Sequence, residues 1–283
     1  MISLLLSVLF GASFGLVVKK AQLRELRLFA VGAVNYIWAA LFYAAWGFIE
    51  GVPEVRDDIV STGIFGGLAY FFAYFFFISA IRVHGASIAS AAGRLAQLLP
   101  VGYAMFAWGE TMSGWQALGL LFFCMAAPVL LKSNQGLENS EHDFRAVLML
   151  CFTFLMAGLC GVSTKRFDGV GLPHEKIVFL LVLFSTTSVL SFGLLFIYRL
   201  IPTREELLLG LILGQCNTFG NLFRLQALNE LGGVILFPVA SALSLVWVTF
   251  IATTFLEEKI SRRGLVGIAL AGIAVVLLSM APD

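Results

Sequence analysis

The sequence predicts an all-α integral membrane protein of ten transmembrane helices, arranged as two inverted five-helix repeats. Three observations carry that prediction. Of the 283 residues, 60% are hydrophobic and only 12% charged, against about 25% charged in soluble domains. Hydropathy divides the chain into ten apolar runs close to the ~20 residues that a bilayer crossing needs. Motifs in the first half then recur in the second at nearly one displacement.

The apolar runs cover residues 2–18, 27–49, 59–81, 85–108, 113–131, 145–163, 176–199, 206–228, 232–255 and 263–280. The first is read as a retained helix. It lacks the basic start of a secretory signal, and Lys19 and Lys20 follow its apolar run instead of preceding it. Connections are short, as in a helical bundle. The long polar stretch in mid-chain, Lys132 to Asp143, is the expected linker between residues 1–131 and 144–283.

The repeat rests on four matches. Gly11 to Gly15 with Lys19-Lys20 answers Ala157 to Gly161 with Lys165-Arg166. Gly63 and Gly67 answer Gly210 and Gly214, displaced by 147 residues, and Ala80-Ile81 with Gly85-Ala86 answers Ala227-Leu228 with Gly232-Gly233. Glu110 to Ser113 with Gly119 answers Glu258 to Ser261 with Gly267. Five helices per unit is an odd number, so the second unit enters the bilayer from the opposite side. Such inverted repeats serve alternating access in many secondary transporters, with the substrate held near the midplane. The small-residue pairs themselves imply close helix packing.

Two polar stripes cross otherwise apolar helices. Ser87, Ser90, Arg94 and Gln97 follow at steps of three, four and three on the fourth run, and Gly214, Asn217, Asn221 and Arg224 repeat that stepping on the eighth. A cation in mid-bilayer costs ~2.5 kcal/mol or more unless it meets a cavity or a partner. The Glu residues fall at or near helix ends, so Arg94 requires a water-filled cavity, a cage of backbone or amide groups, or an anionic group on a ligand. Arg224 lies near enough to its helix end to snorkel. Pro100 and Pro238 should kink the fourth and ninth helices, the latter beside Ser241 and Ser244. Tyr70, Tyr74, Asn35 and Tyr36 are plausible cavity walls. The expected substrate-binding set is Arg94, Gln97, Ser90, Tyr74, Asn217, Asn221 and Ser241.

Other functions find little support. A formal net charge of +1 with no basic run excludes nucleic-acid binding. The four cysteines lie singly in apolar segments and the three histidines form no ligand pair, so no metal or other cofactor is expected. A membrane-embedded enzyme, the alternative reading, needs a nucleophile, a metal cluster or paired carboxylates within the bundle. A receptor or scaffold without translocation has no use for oppositely oriented halves.

The two related halves resemble the drug/metabolite transporter superfamily, EamA type. The resemblance also rests on Gly85-Ala86-Ser87, on Gly109-Glu110 followed by Gly119, and on the run from Gly232-Gly233 through Pro238 to Glu257-Glu258 and Gly267. It covers essentially the whole chain. It implies a secondary transporter moving a small metabolite or amphipathic compound through a cavity lined mainly by helices 3, 4, 8 and 9. An anionic or zwitterionic substrate is expected, in a bacterial-type plasma membrane. It also implies cytoplasmic termini, whereas the sequence puts them outside. With a cytoplasmic amino terminus, only Arg56, Lys165, Arg166 and Lys176 would occupy inside loops, and most of the cations would lie opposite.

Overall fold

The computed structural model describes residues 1–51, 55–133, 144–255, 262–278 and 280. Ten α-helices run in order: α1 (Ile2–Leu23), α2 (Leu28–Glu50), α3 (Asp57–Leu95), α4 (Leu98–Trp108), α5 (Gly114–Ser133), α6 (Phe144–Val170), α7 (Lys176–Ile197), α8 (Arg204–Leu231), α9 (Gly233–Phe255) and α10 (Arg262–Leu278). Among the described residues a 3₁₀ turn, Pro173–Glu175, precedes α7. Most of the expected linker, the Glu258 to Ser261 motif and the side chains of Ser87 and Ser90 lie outside the described residues.

Large apolar side chains cover the outside. Phe48, Phe106, Phe196 and Ile201 are all exposed, as suits a lipid-facing surface, whereas water would penalise it. Five described spans are long and apolar enough to cross a bilayer unaided: α1, α2, Asp57–Val83, Val147–Val170 and Pro173–Ile197. The 28 residues of α8 are not among them. Its polar stripe lowers its hydropathy, and the stripe faces inward: Asn217 and Asn221 are buried.

The halves exchange partners. Helix α3 packs on α6 and α7 of the second half, while α8 packs on α1 and α2 of the first, and α5 packs on α10. Glycines make these crossings close. A Cβ added at Gly63 would lie 2.8 Å from Val182 Cβ, and one at Gly67 would lie 2.6 Å from both the Leu183 carbonyl oxygen and Thr186 Cβ. Their counterparts are sealed by α2: a Cβ added at Gly210 would lie 2.6 Å from Val34 Cβ, and one at Gly214 would lie 2.6 Å from Trp38 Cδ1. Reciprocal packing of equivalent helices is what a pseudo-two-fold axis in the membrane plane produces.

Ion pairs at the helix entrances repeat the relation with the charges exchanged. At the start of α2, Arg27 donates to Glu206 on the first turn of α8, Nη2 to Oε2 at 2.6 Å. On the face that carries Met1, Arg56 at the start of α3 reaches Glu175 before α7 at 3.3 Å. Both carboxylates are almost fully buried. Glu206 also closes a capping box, accepting from Thr203 N at 2.8 Å while Thr203 Oγ1 accepts from Glu206 N at 3.3 Å.

One expected connection is not where the sequence places it. Helical hydrogen bonding continues through Arg82 to Gly85, and the chain instead breaks at Ala96-Gln97. No proline stands at the first position, and one glycine costs a helix only about 1 kcal/mol. At the second, Pro100 has no N–H for the Ala96 carbonyl, which accepts instead from Leu99 N at 3.0 Å in a tighter turn. The predicted distortion near Pro100 is therefore a break between α3 and α4.

Candidate functional site

The polar groups of α2, α3 and α8 form one ladder at bilayer depth. Tyr70 on α3 donates to Asn221 Oδ1. Asn221 Nδ2 donates to Asn217 Oδ1 at 2.8 Å, and Asn217 Nδ2 donates to Asn35 Oδ1 on α2 at 3.1 Å. The order follows from helix geometry, since positions 217 and 221 lie one above the other on α8. Asn35 Nδ2, at the end of the ladder, and Thr218 Oγ1 are buried without a hydrogen-bond partner among the described residues.

Aromatic rings frame the ladder. The Tyr43 ring stacks on Phe184 at 5.7 Å while its hydroxyl donates to the Thr218 carbonyl at 2.7 Å. The Tyr36 ring meets Tyr74 edge-on at 5.8 Å. Tyr74 lies over Gly32 and donates to the Leu28 carbonyl at 2.8 Å. Its hydroxyl therefore ties α3 to α2. Asn217→Leu should strand Asn35 Oδ1, whereas Asn221 Nδ2 keeps the backbone carbonyl of residue 217 at 2.9 Å, so the expected loss is about 0.6–1 kcal/mol for the one interhelical bond. Thermal unfolding in detergent checks this: Asn217→Leu should melt earlier, while Thr186→Val, which removes only a hydroxyl bonded within its own helix to Val182, should change little.

Arg94 finds a cage. Its Nη1 donates to the Ser241 carbonyl at 3.2 Å and to Ser244 Oγ at 2.9 Å, in the middle of α9. Arg94 and Ser241 are 147 residues apart, the displacement of the repeat. Equivalent positions of the two halves thus touch, as they can only near the axis relating them. Of the alternatives the sequence leaves open, backbone and hydroxyl oxygens supply the partners for one nitrogen. Gln97 sits at the α3–α4 break, half-buried beside the cage in sequence.

A second cluster closes the bundle on the Met1 face. Glu110, in the turn between α4 and α5, accepts from the Gly233 and Val234 backbone N–H groups at 3.1 and 2.9 Å, the first amides of α9. Lys165 on α6 lies 2.6 Å from both Glu110 and Asp168 and is almost fully buried. Burial opposes ionisation of Glu110, yet the hydrogen bonds from Lys165, Val234 and Gly233 outweigh it and hold its carboxyl below the usual glutamate range. Gly232 permits the approach: its φ of +74° favours glycine, and a Cβ there would lie 3.3 Å from Glu110 Oε2. The sequence shows Glu110 and Lys165 only as charges at helix ends. Their recurrence beside the repeated glycines is the signal that could have joined them.

A groove of about 880 Å³ between α2, α7 and α8 is lined by Val34, Trp38, Phe192, Leu207 and Leu211, with Arg199 at its edge. Its apolar walls suit lipid chains, and the ladder lies behind them.

A family model for the EamA-like transporter family matches residues 1–131 and 144–280. A protein of Haemophilus influenzae (strain ATCC 51907 / DSM 11121 / KW20 / Rd), described only as an uncharacterized protein, is 25% identical over 281 residues, covering 94% of this chain and 93% of its own. A solved crystal structure superposes with a TM-score of 0.80 at 19% identity, covering 98% of this chain and 95% of the other. At that identity the likeness shows the fold. The match to both halves settles the wider kinship: this chain belongs to the EamA-like transporter family.

Proposed function

We propose that this protein is a secondary transporter that moves a small metabolite or amphipathic compound by alternating access, in a bacterial-type plasma membrane. The observation that carries the reading is the contact of Arg94 with its own repeat counterpart, Ser241, across the crossing of the two halves. A site on that axis can be offered to either side by rocking one half against the other. Residues 132–143 then join the two halves.

In this reading the substrate lies between two walls. Arg94 and Gln97 with Ser241 form one, and Tyr74, Asn217 and Asn221 form the other. Asn and Tyr offer both donors and acceptors, which suits a polar body. Arg94 keeps guanidinium donors beyond the nitrogen held by α9, and these meet the substrate or exchange partners as the halves move. Glu110, Lys165 and the start of α9 hold the Met1 face shut and must part when it opens.

The reading is tested by ligand-dependent thermal stabilisation of the purified protein across a metabolite panel. Saturable stabilisation in the wild type should weaken about tenfold or more in Asn221→Leu and Arg94→Gln, at protein folds judged intact by circular dichroism. Ligands that stabilise wild type and both variants equally would remove these residues from the site.

A further inference from the structure

The groove between α2, α7 and α8 spans a single leaflet. Helix α2 begins at the face opposite Met1, α7 ends there and α8 begins there, and Arg199, Ile201 and Pro202 line the mouth of the groove at that face. Leu41, Phe192 and Leu211 line its deep end. At 1.5 Å per residue, Leu41 lies about 20 Å from the start of α2 at Leu28, and one leaflet of a ~30 Å hydrocarbon core is about 15 Å deep. The groove therefore runs from the interface to about the midplane.

Its walls are apolar, and its mouth carries a cation. Helix α7 ends in a Schellman motif, in which Leu200 N donates to the Leu195 carbonyl at 2.9 Å and Arg199 N to the Phe196 carbonyl at 3.1 Å. Arg199 takes the left-handed position of that motif, φ +51°, where glycine is the usual residue. Glu25 is the other described non-glycine residue with a positive φ. The helix end thus carries an arginine where glycine would sit with less strain. Among the described residues the Arg199 side chain makes no hydrogen bond and no ion pair. The carboxylates at the start of α8 are already engaged, Glu205 by Arg24 at 3.4 Å and Glu206 by Arg27 at 2.6 Å.

We propose that this groove holds an anionic phospholipid, its phosphate paired with Arg199 and an acyl chain lying along the walls toward Leu41 and Phe192. Charge selects the headgroup. A guanidinium matches phosphate with paired N–H donors, and most of the chain's cations lie on this face, where juxtamembrane cations draw anionic lipids. Depth selects the occupant: a helix from a second copy would cross both leaflets, whereas the groove ends at mid-bilayer. Val34 and Trp38 line the groove and also close on Gly210 and Gly214, so a chain lying there backs the α2–α8 crossing. The site is independent of the transporter reading and holds whether or not a solute crosses.

The test is native mass spectrometry of the full chain, delipidated in neutral detergent and offered equal amounts of dioleoyl phosphatidylglycerol and dioleoyl phosphatidylcholine. Phosphatidylglycerol should be retained about fivefold more strongly, as one interfacial cation supplies, and should raise the melting temperature saturably. Arg199→Gly should abolish that preference, while its lipid-free melting temperature stays level or rises, because glycine suits φ +51°. Arg204→Gln, which removes an exposed cation on the same face outside the groove, should keep the preference. Leu211→Trp, which adds bulk to the groove wall, should weaken retention of both lipids.

Equal retention of the two lipids by the wild type would overturn the proposal. So would a preference that survives Arg199→Gly, or one that Arg204→Gln loses to the same extent. A dimer mass that appears without bound lipid and disappears in Leu211→Trp would assign the groove to a second copy of the chain.

Discussion

Glu110→Ala is expected to lower unfolding stability by about 2–4 kcal/mol and to loosen the start of α9. The magnitude follows from what the carboxylate holds. Removing one member of a buried ion pair costs about 3–5 kcal/mol, and Glu110 is only partly buried, at 22% exposure, so the figure falls toward the lower end. The loss has two parts. Lys165 keeps Asp168, but the Gly233 and Val234 amides lose their acceptor, and a helix start without a cap costs about 1 kcal/mol. Glu110→Gln should lose about half as much, because its amide oxygen can still accept from a backbone N–H. Hydrogen exchange at the first turn of α9 separates the parts. Gly233 and Val234 should exchange faster in Glu110→Ala than in Glu110→Gln, and unchanged exchange in both would show that Glu110 does not cap α9.

The same carboxyl fixes a pH dependence. Its folded value is depressed relative to the unfolded chain, so its contribution is present above the ordinary glutamate value of 4.5 and is lost as pH falls through the lower folded value. Wild type should therefore lose more stability than Glu110→Gln on acidification below that ordinary value.

Gly67→Val is expected to abolish or nearly abolish folding, and Gly67→Ala to cost about 1–3 kcal/mol. A Cβ at Gly67 meets the Leu183 carbonyl oxygen at 2.6 Å, and backbone within α7 cannot turn aside. At the equivalent Gly214 the obstacle is the Trp38 side chain, whose ring Cδ1 at 2.6 Å can rotate at the edge of an open groove while its Cβ at 2.9 Å moves only with α2, and no backbone carbonyl stands in the way. Gly214→Ala should accordingly cost less than Gly67→Ala, although the sequence pattern is the same in both. Melting temperatures of the two alanine variants check the order. A larger loss at Gly214 would contradict this packing.

The repeat was legible because duplicated helices keep their small residues where backbones approach, so that Gly63 and Gly67 find Gly210 and Gly214 by counting alone. Which helix each glycine meets was not legible. That depends on the exchange of partners between halves, and nothing local to Gly67 names α7. Arg94 shows the same limit. Its spacing marked it as an inward cation, but the serines that hold it are 147 and 150 residues away. The break before Pro100 was misplaced to Arg82–His84, where a dip in hydropathy is not a stop to helical hydrogen bonding. The most buried acidic and basic residues, Glu175, Glu206 and Lys165, looked like ordinary interfacial residues, since partners that bury them arrive from the other half.

The central claim is that a solute crosses the bilayer through the space between the halves, and counterflow in sealed proteoliposomes tests it most directly. Compounds that stabilise the purified protein would be trapped inside at high concentration and offered as trace label outside. The account predicts label entry that depends on protein, saturates, is accelerated by unlabelled compound within, and falls about tenfold or more in Asn221→Leu and Arg94→Gln vesicles of equal protein content. Compounds that bind saturably yet leave all label outside, in vesicles containing correctly folded protein, would contradict it and point to a receptor.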